Sequence, residues 1–445
     1  MEDDILLHLT IAIGADNYSK HKILGINRIT VFTFVNILLI DHYAGSPALG
    51  MEFRPYYLAK EWIRLGHNVT IIAADFSHLR SKLPVVHSDL QFEKIDGISY
   101  LWLKTPKYKS SGFKRILNIL MFTVKLLIYY KKITAIANPE IVIASSTYPL
   151  DIYPAHFIAK KNDAKLVFEL HDLWPLSPMI IGNFSKYHPF IWLMQKAENF
   201  ACRNCDCYIS LLGNAKDYLM QHGLKNEKFF YIPNGFSNDE MESVEMQIPG
   251  ELDKIFKKIK SESKIIIGYA GGHSPSNALK SFVEASNHFD DNHNIAFVLV
   301  GDGSCKDELI EIAKAHNQKN IYFLPHISKS LIPAVLSQFD VLYAGGVKSI
   351  LHSYGTSFNK IIDYMLAEKP IIFAVDEPNS LVEKVGCGIR IQAENVKELV
   401  NTIKFLSELS VEERISMGLR GREYALKELN YTSLAKKFIE AIARS

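Results

Sequence analysis

Short, wholly apolar runs alternate with longer helix-forming stretches along most of this chain, a pattern that calls for parallel sheets covered by helices on both faces. The first unit is the clearest. Asn36-Ile-Leu-Leu-Ile-Asp41 has the continuous apolar character of a strand buried on both sides. A polar, glycine-bearing turn (42–50) follows, then a helical pattern over about 52–65 that Gly66-His67-Asn68 stops. Val69-Thr-Ile-Ile-Ala-Ala74 is the next strand, which completes a βαβ unit with a glycine-rich first loop. Ile141-Val-Ile-Ala144, Leu166-Val-Phe-Glu-Leu170 and Cys207-Tyr-Ile-Ser210 continue the series, with helical stretches at 116–136 and 189–201.

After Pro233-Asn234-Gly235 the pattern breaks into a polar stretch that runs to about Lys260. It then restarts. Lys264-Ile-Ile-Ile-Gly-Tyr-Ala270 ends on Gly271-Gly272, and Ile295-Ala-Phe-Val-Leu-Val300 closes on Gly301-Asp302-Gly303, a strand-end turn. Ile321-Tyr-Phe-Leu324, Val341-Leu-Tyr343 and Ile371-Ile-Phe-Ala374 read as further strands, and 396–407 and 411–445 as closing helices. At roughly 100 to 200 residues per domain, 445 residues suggest two or three domains, and the alternation supplies two such units. The expected fold is α/β, two doubly wound Rossmann-like parallel-sheet domains facing across a cleft. The expected organisation is an N-terminal extension at 1–35, poorly ordered or from a mis-assigned start, a domain at 36–235, and a linker at 236–260. A second domain at 261–425 and a closing helix at 426–445 complete it.

Composition excludes several classes. Lys+Arg 50 against Asp+Glu 48 leaves no basic excess of the kind a nucleic-acid binder carries. No run of 18 or more uncharged apolar residues is present, so a membrane span is not expected. Met1-Glu2-Asp3-Asp4 lacks the positive charge of a secretion signal, which predicts a soluble, cytoplasmic protein. The five cysteines include Cys202, Cys205 and Cys207, half of a zinc-site spacing without a second pair nearby. Buried, reduced thiols are expected instead. No Gly-x-Gly-x-x-Gly follows either domain's first strand, so a dehydrogenase is not expected.

Glu169-Leu-His-Asp-Leu-Trp-Pro175, Tyr231-Ile-Pro-Asn-Gly235, Tyr269-Ala-Gly-Gly272, Leu299-Val-Gly-Asp-Gly303 and Ser357-Phe-Asn-Lys-Ile-Ile-Asp-Tyr-Met365 occur in one order. With the opening His42-Tyr-Ala-Gly-Ser-Pro47 and Gly50-Met-Glu-Phe-Arg-Pro55, the chain resembles the family-4 retaining glycosyltransferases of the GT-B fold over residues 36 to about 430. Within them it is most similar to the bacterial fucosaminyltransferase-like group of O-antigen and capsule assembly. The resemblance implies transfer of a sugar, a HexNAc or amino-deoxy sugar, from a UDP-linked donor with retention and without a metal or other cofactor. It also implies an undecaprenyl-diphosphate-linked saccharide as acceptor, with peripheral contact at the inner membrane.

A donor diphosphate held without metal needs backbone N–H groups at helix starts and a few cations. Lys360 stands where a helix begins, with Ser357 or Asn359 placed to cap it, and is the expected cation on the diphosphate. Asp363, three residues on and expected on the same face, matches the family's second acidic residue, which bonds the ribose hydroxyls. The first acidic residue is replaced by Gly355. Gly272 and Asn277 stand where many relatives carry Arg and Lys, so the charge burden falls on Lys360, with Arg54 as a second cation or an ordinary surface arginine. Gly45, Gly50, Gly271 and Gly272 would let backbone approach the phosphates. His171, at a strand's carboxyl end, is assigned to the reaction centre by the resemblance, with Asp172 to orient it; Glu169 reads as structural. The apolar stretch 116–136, flanked by Lys114 and Arg115, reads equally as a membrane-interface helix or a buried one. A GT-B nucleotide-sugar 2-epimerase and a non-catalytic nucleotide-sugar-binding subunit of a polysaccharide assembly complex are the rival readings.

Overall fold

Each apolar run forms a strand. A computed structural model describes residues 34–50, 53–108, 112–242, 247–262, 265–289 and 294–445. In the first lobe β1 (Asn36–Ile40), β2 (Asn68–Ala74), β3 (Gln91–Ile95), β4 (Ile98–Leu103), β5 (Ile141–Ala144), β6 (Lys165–Leu170), β7 (Cys207–Ser210) and β8 (Phe229–Tyr231) make one sheet, ordered β3-β4-β2-β1-β5-β6-β7-β8. All its pairings are parallel except the β3–β4 hairpin at the edge. That hairpin turns on Asp96 and Gly97, both at positive φ. In the second lobe β9 (Ile265–Ala270), β10 (Ile295–Val300), β11 (Ile321–Leu324), β12 (Val341–Gly345), β13 (Ile371–Ala374) and β14 (Gly388–Ile391) are all parallel, ordered β11-β10-β9-β12-β13-β14. The expectation of two doubly wound parallel-sheet domains is borne out, with the antiparallel edge hairpin added.

Helices pack on both faces of each sheet. Those that position the site are α1 (Arg54–Arg64), α2 (Phe113–Ile128), α3 (Tyr130–Ala137), α4 (Pro189–Asn204), α5 (Gly250–Glu262), α6 (Asn359–Leu366) and α7 (Tyr431–Arg444). The stretch expected as one helix at 116–136 is two, parted at Tyr129, where the backbone leaves helical geometry. One face of α2 is core, through Ile119, Phe122 and Leu126, while Phe113, Leu117, Val124 and Ile128 are exposed. Among the described residues no helix is long and apolar enough to cross a membrane.

The polar stretch expected as a linker is largely structured. Within it α5 buries Leu252, Phe256 and Ile259 in the second lobe's core; its lysines, read in sequence as linker polarity, occupy the outer face. Of the expected N-terminal extension, residues 1–33 lie outside the described residues, and Val35–Ser445 form one compact unit. The last helix, α7, crosses back to the first lobe. There Trp62 of α1 donates to the Ala435 carbonyl at 3.2 Å, and its ring meets Phe438 edge-on at 5.0 Å. The two passages of chain between lobes run side by side, Phe236 N donating to Leu429 O and Tyr431 N to Phe236 O, both at 3.0 Å.

The cysteines are all free. Cys202, Cys205, Cys207 and Cys387 are buried, and burial holds their thiols well up, Cys207 and Cys387 at about 12. Among the described residues no cluster of three or more His, Cys, Asp or Glu side chains is placed to hold a metal.

Candidate active site

Strand carboxyl ends of the two sheets face one another across a cavity of about 420 Å³. His171 follows β6 and forms part of its wall, with Thr147, Asp172, Tyr57 and Tyr431. From the second lobe come Ser357, Asn359, Ile362, Asp363 and Lys329.

His171 is held from beneath. Its Nε2 lies 3.0 Å from Ser145 Oγ and 3.3 Å from Glu169 Oε2, while the Ser145 hydroxyl donates to the same carboxylate at 2.6 Å. A carboxylate only accepts, so the one Ser145 hydrogen goes to Glu169 and the proton on the ring lies at Nε2. Glu169 is fully buried and also pairs with Arg54 at 2.9 Å. Burial by itself would raise this carboxyl; Arg54, His171 and Ser145 outweigh that and hold it down at about 2. Glu169, not Asp172, therefore orients the histidine. Asp172 bonds instead to Ser177 Oγ at 2.6 Å and to the Leu173 N–H. Glu169 was legible as a candidate, because residues two apart on a strand share a face.

Arg54, expected as a second diphosphate cation, is on the cavity wall, but its donors are taken up by neighbouring groups. Its Nε and one terminal N–H reach Glu169, and the others reach the Pro233 and Ile232 carbonyls and Asn234 Oδ1. With all five donors partnered and 4% of its surface exposed, it ties α1 and β6 to the passage between lobes. Gly50, expected beside the phosphates, sits in a turn at φ +72°, where a Cβ would meet Ser81 Oγ at 2.3 Å. It is not part of the cavity wall.

Helix α6 sorts the remaining residues. Lys360 Nζ donates to Asn277 Oδ1 and, at 3.3 Å, to the Tyr269 hydroxyl, and lies 4.9 Å over the Tyr269 ring. Asn277 and Tyr269 each donate to the Gly272 carbonyl at 2.8 Å. Lys360, Asn277, Gly271 and Gly272 thus meet at the end of β9. Burial holds the Lys360 ammonium down, at about 8. Asp363 was expected on the same face as Lys360, but it faces the cavity with His171, and Lys360 is not part of that wall. Three residues advance a helix by about 300°, which leaves the two side chains about 60° apart. The cleft walls keep the Asp363 carboxyl raised, at about 6; Lys329 opposes this and Glu240 reinforces it, though water still reaches the group. Lys329 itself pairs with Glu240 at 2.9 Å, and Glu240 accepts from Tyr57 across the cleft.

Neither Ser357 nor Asn359 caps α6. The capping position is Phe358, without a side-chain bond, and Asn359 accepts from Asn234 Nδ2 at 2.9 Å. The helix start therefore presents backbone N–H groups between the Lys360 cluster and the cavity. Two further residues stand out. Tyr269 carries the lysine, and His273 is buried with neither ring nitrogen partnered among the described residues, packed against Gly301 and Gly303.

Two family models match the chain in succession, Glycosyltransferase Family 4 over residues 49–240 and Glycosyl transferases group 1 over 251–424. Both models are of glycosyltransferases and together span the two facing parallel-sheet lobes, so the protein is a glycosyltransferase of the GT-B fold. Its first lobe is similar to family 4 of that class. It is 22% identical over 395 residues to WcaI of Escherichia coli, named as a colanic acid biosynthesis glycosyl transferase, covering 86% of this chain and 93% of WcaI. Among solved structures, Anabaena HepE in complex with UDP and glucose superposes with a TM-score of 0.61 at 16% identity, over 92% of this chain and 99% of HepE. WaaG, a glycosyltransferase involved in lipopolysaccharide biosynthesis, gives a TM-score of 0.58 at 14% identity, over 91% of this chain and 99% of WaaG.

Proposed function

We propose that the protein transfers a HexNAc or amino-deoxy sugar from a UDP-linked donor to a lipid-linked saccharide, with retention and without a bound metal. The setting is bacterial surface-polysaccharide assembly at the cytoplasmic face of the inner membrane. The observation that carries the donor assignment is the meeting of Lys360, Asn277 and the Gly271-Gly272 backbone beside the uncapped start of α6. A diphosphate there gains one cation and several N–H donors, and its charge is stabilised as it leaves. The sugar then lies in the cavity, where His171 and Asp363 bond its hydroxyls or those of the ribose. The acceptor hydroxyl attacks the anomeric carbon on the face that the diphosphate leaves. One C–O bond forms, the bond to the diphosphate breaks, and the proton passes to the departing phosphate oxygen. The names of WcaI, HepE and WaaG support the polysaccharide setting and the UDP donor.

The test is a melting series with UDP, GDP, ADP and UDP-sugars, each with EDTA and with magnesium. At a hundred times its dissociation constant a ligand adds about 2.7 kcal/mol of stability. A UDP-selective shift that survives EDTA is expected, and a shift that needs magnesium overturns the metal-independent reading. Lys360→Ala is expected to lose most of that shift and about a hundredfold in turnover. Turnover within threefold of wild type removes Lys360 from the diphosphate.

A further inference from the structure

A small pocket of about 40 Å³ lies at the start of α6. Asn234, Ser357 and Ile362 line both it and the His171 cavity, so the two adjoin. Much of its wall is apolar, from Phe358, from Phe373 of β13, and from Leu381 and Val382 of the short helix after β13. The one charged group that lines it is Glu377, which is buried. Its carboxylate accepts from the Thr356 hydroxyl at 2.5 Å and from the Thr356 N–H. Burial raises this carboxyl, and those bonds and Lys384 only partly offset it. A carboxylate has about four acceptor sites, so Glu377 can take a further N–H or O–H from a ligand.

A water-sized group needs about 10–15 Å³ of such space, so the pocket holds roughly three, the number of heavy atoms in an acetyl group. A sugar ring does not fit. A sugar hydroxyl would satisfy the carboxylate but leave the apolar wall to water. A protonated amine would pair with Glu377 but set an ammonium against carbon. An acetamido group meets both demands, since its N–H donates and its methyl lies on apolar side chains. Resting on the transferase reading above, we propose that this pocket takes the acetamido group of the donor sugar. The N–H lies on Glu377, the methyl on Leu381 and Val382, and the carbonyl accepts from Ser357. The pocket thereby selects an N-acetylated sugar over the plain hexose.

The test is calorimetric titration of the full chain with UDP and with two pairs of donors, UDP-GlcNAc against UDP-glucose and UDP-GalNAc against UDP-galactose. Members of a pair differ only in acetamido for hydroxyl. In at least one pair the acetamido member is expected to bind about tenfold tighter or more, the worth of one buried methyl and one bond to a charged acceptor. Leu381→Phe fills the pocket and Glu377→Ala removes its acceptor. Each is expected to cut that preference to within about twofold while UDP binding is kept. Leu381 is only half-buried, so its variant keeps the test open should Glu377→Ala fail to fold. A preference that both variants keep, a loss that UDP shares equally in both, or tighter binding of UDP-glucosamine than of UDP-GlcNAc overturns the proposal. UDP binding with no preference in either pair overturns the pocket and leaves the donor reading standing. A chain that binds neither UDP nor its sugars refutes the donor reading, and the pocket with it.

Discussion

At the end of β6 the pleat turns Glu169 and His171 to one side, and the deeper of the two organises the site. Glu169 joins Arg54, Ser145 and His171, which come from three separate elements. Its carboxyl is held at about 2 in the fold against an ordinary 4.5. Between those values the unfolded chain binds a proton that the folded one does not, so stability present above pH 4.5 is lost as pH falls toward 2. Glu169→Gln is expected to flatten stability over that window. At pH 7 it leaves the Arg54 charge buried without its partner, a loss of about 3–5 kcal/mol. Urea unfolding at pH 7 and at steps from pH 5 to 3 measures both effects, and wild-type stability at pH 7 would remove Glu169 from this role. The missing first acid of the family motif also has a residue-scale cause. Gly355 sits at φ +112°, and a Cβ there would meet the Gly213 N atom at 2.8 Å. The second lobe approaches the first too closely at that point for any side chain.

Among the elements, the two passages between lobes show what a motif glycine does. At Gly235 a Cβ would meet the Leu429 carbonyl oxygen at 2.3 Å and Leu434 Cδ1 at 2.5 Å. Backbone cannot yield as a side-chain tip can, so Gly235→Ala is expected to cost about 1–3 kcal/mol and to lower the melting temperature. An unchanged melting temperature would show that the passages part at little cost. The helix that follows the Ser357-Phe-Asn-Lys360 motif was legible in sequence, but its division of labour was not. Lys360 and Asp363 face different groups because a spacing of three leaves an angular offset that only the surrounding lobes turn into two separate sites. The β3–β4 hairpin carried a readable signal in Asp96-Gly97, at the tip of a strand whose exposed polar face hides the apolar runs that marked the others.

For the whole molecule, the return of α7 to the first lobe joins the chain's end to its beginning. Phe438, fully buried against Trp62, closes that contact. Phe438→Ala is expected to cost about 3–5 kcal/mol in chemical denaturation, the range for emptying a buried aromatic site. A loss below about 1 kcal/mol would mean that α7 is an attachment rather than part of the first lobe's core. The alternation of apolar runs determined the two parallel sheets, since a strand buried on both faces has to be apolar along its length. Helical patterns located several of the helices between them, and the ordered motifs picked out His171, Lys360 and Asp363. Tertiary structure alone decided that Arg54 pairs with Glu169, that α5 is core rather than linker, and that Lys360 and Asp363 of α6 face different groups. Burial and hydrogen-bond partners come from residues more than a hundred positions away, and no local pattern records which of them will arrive.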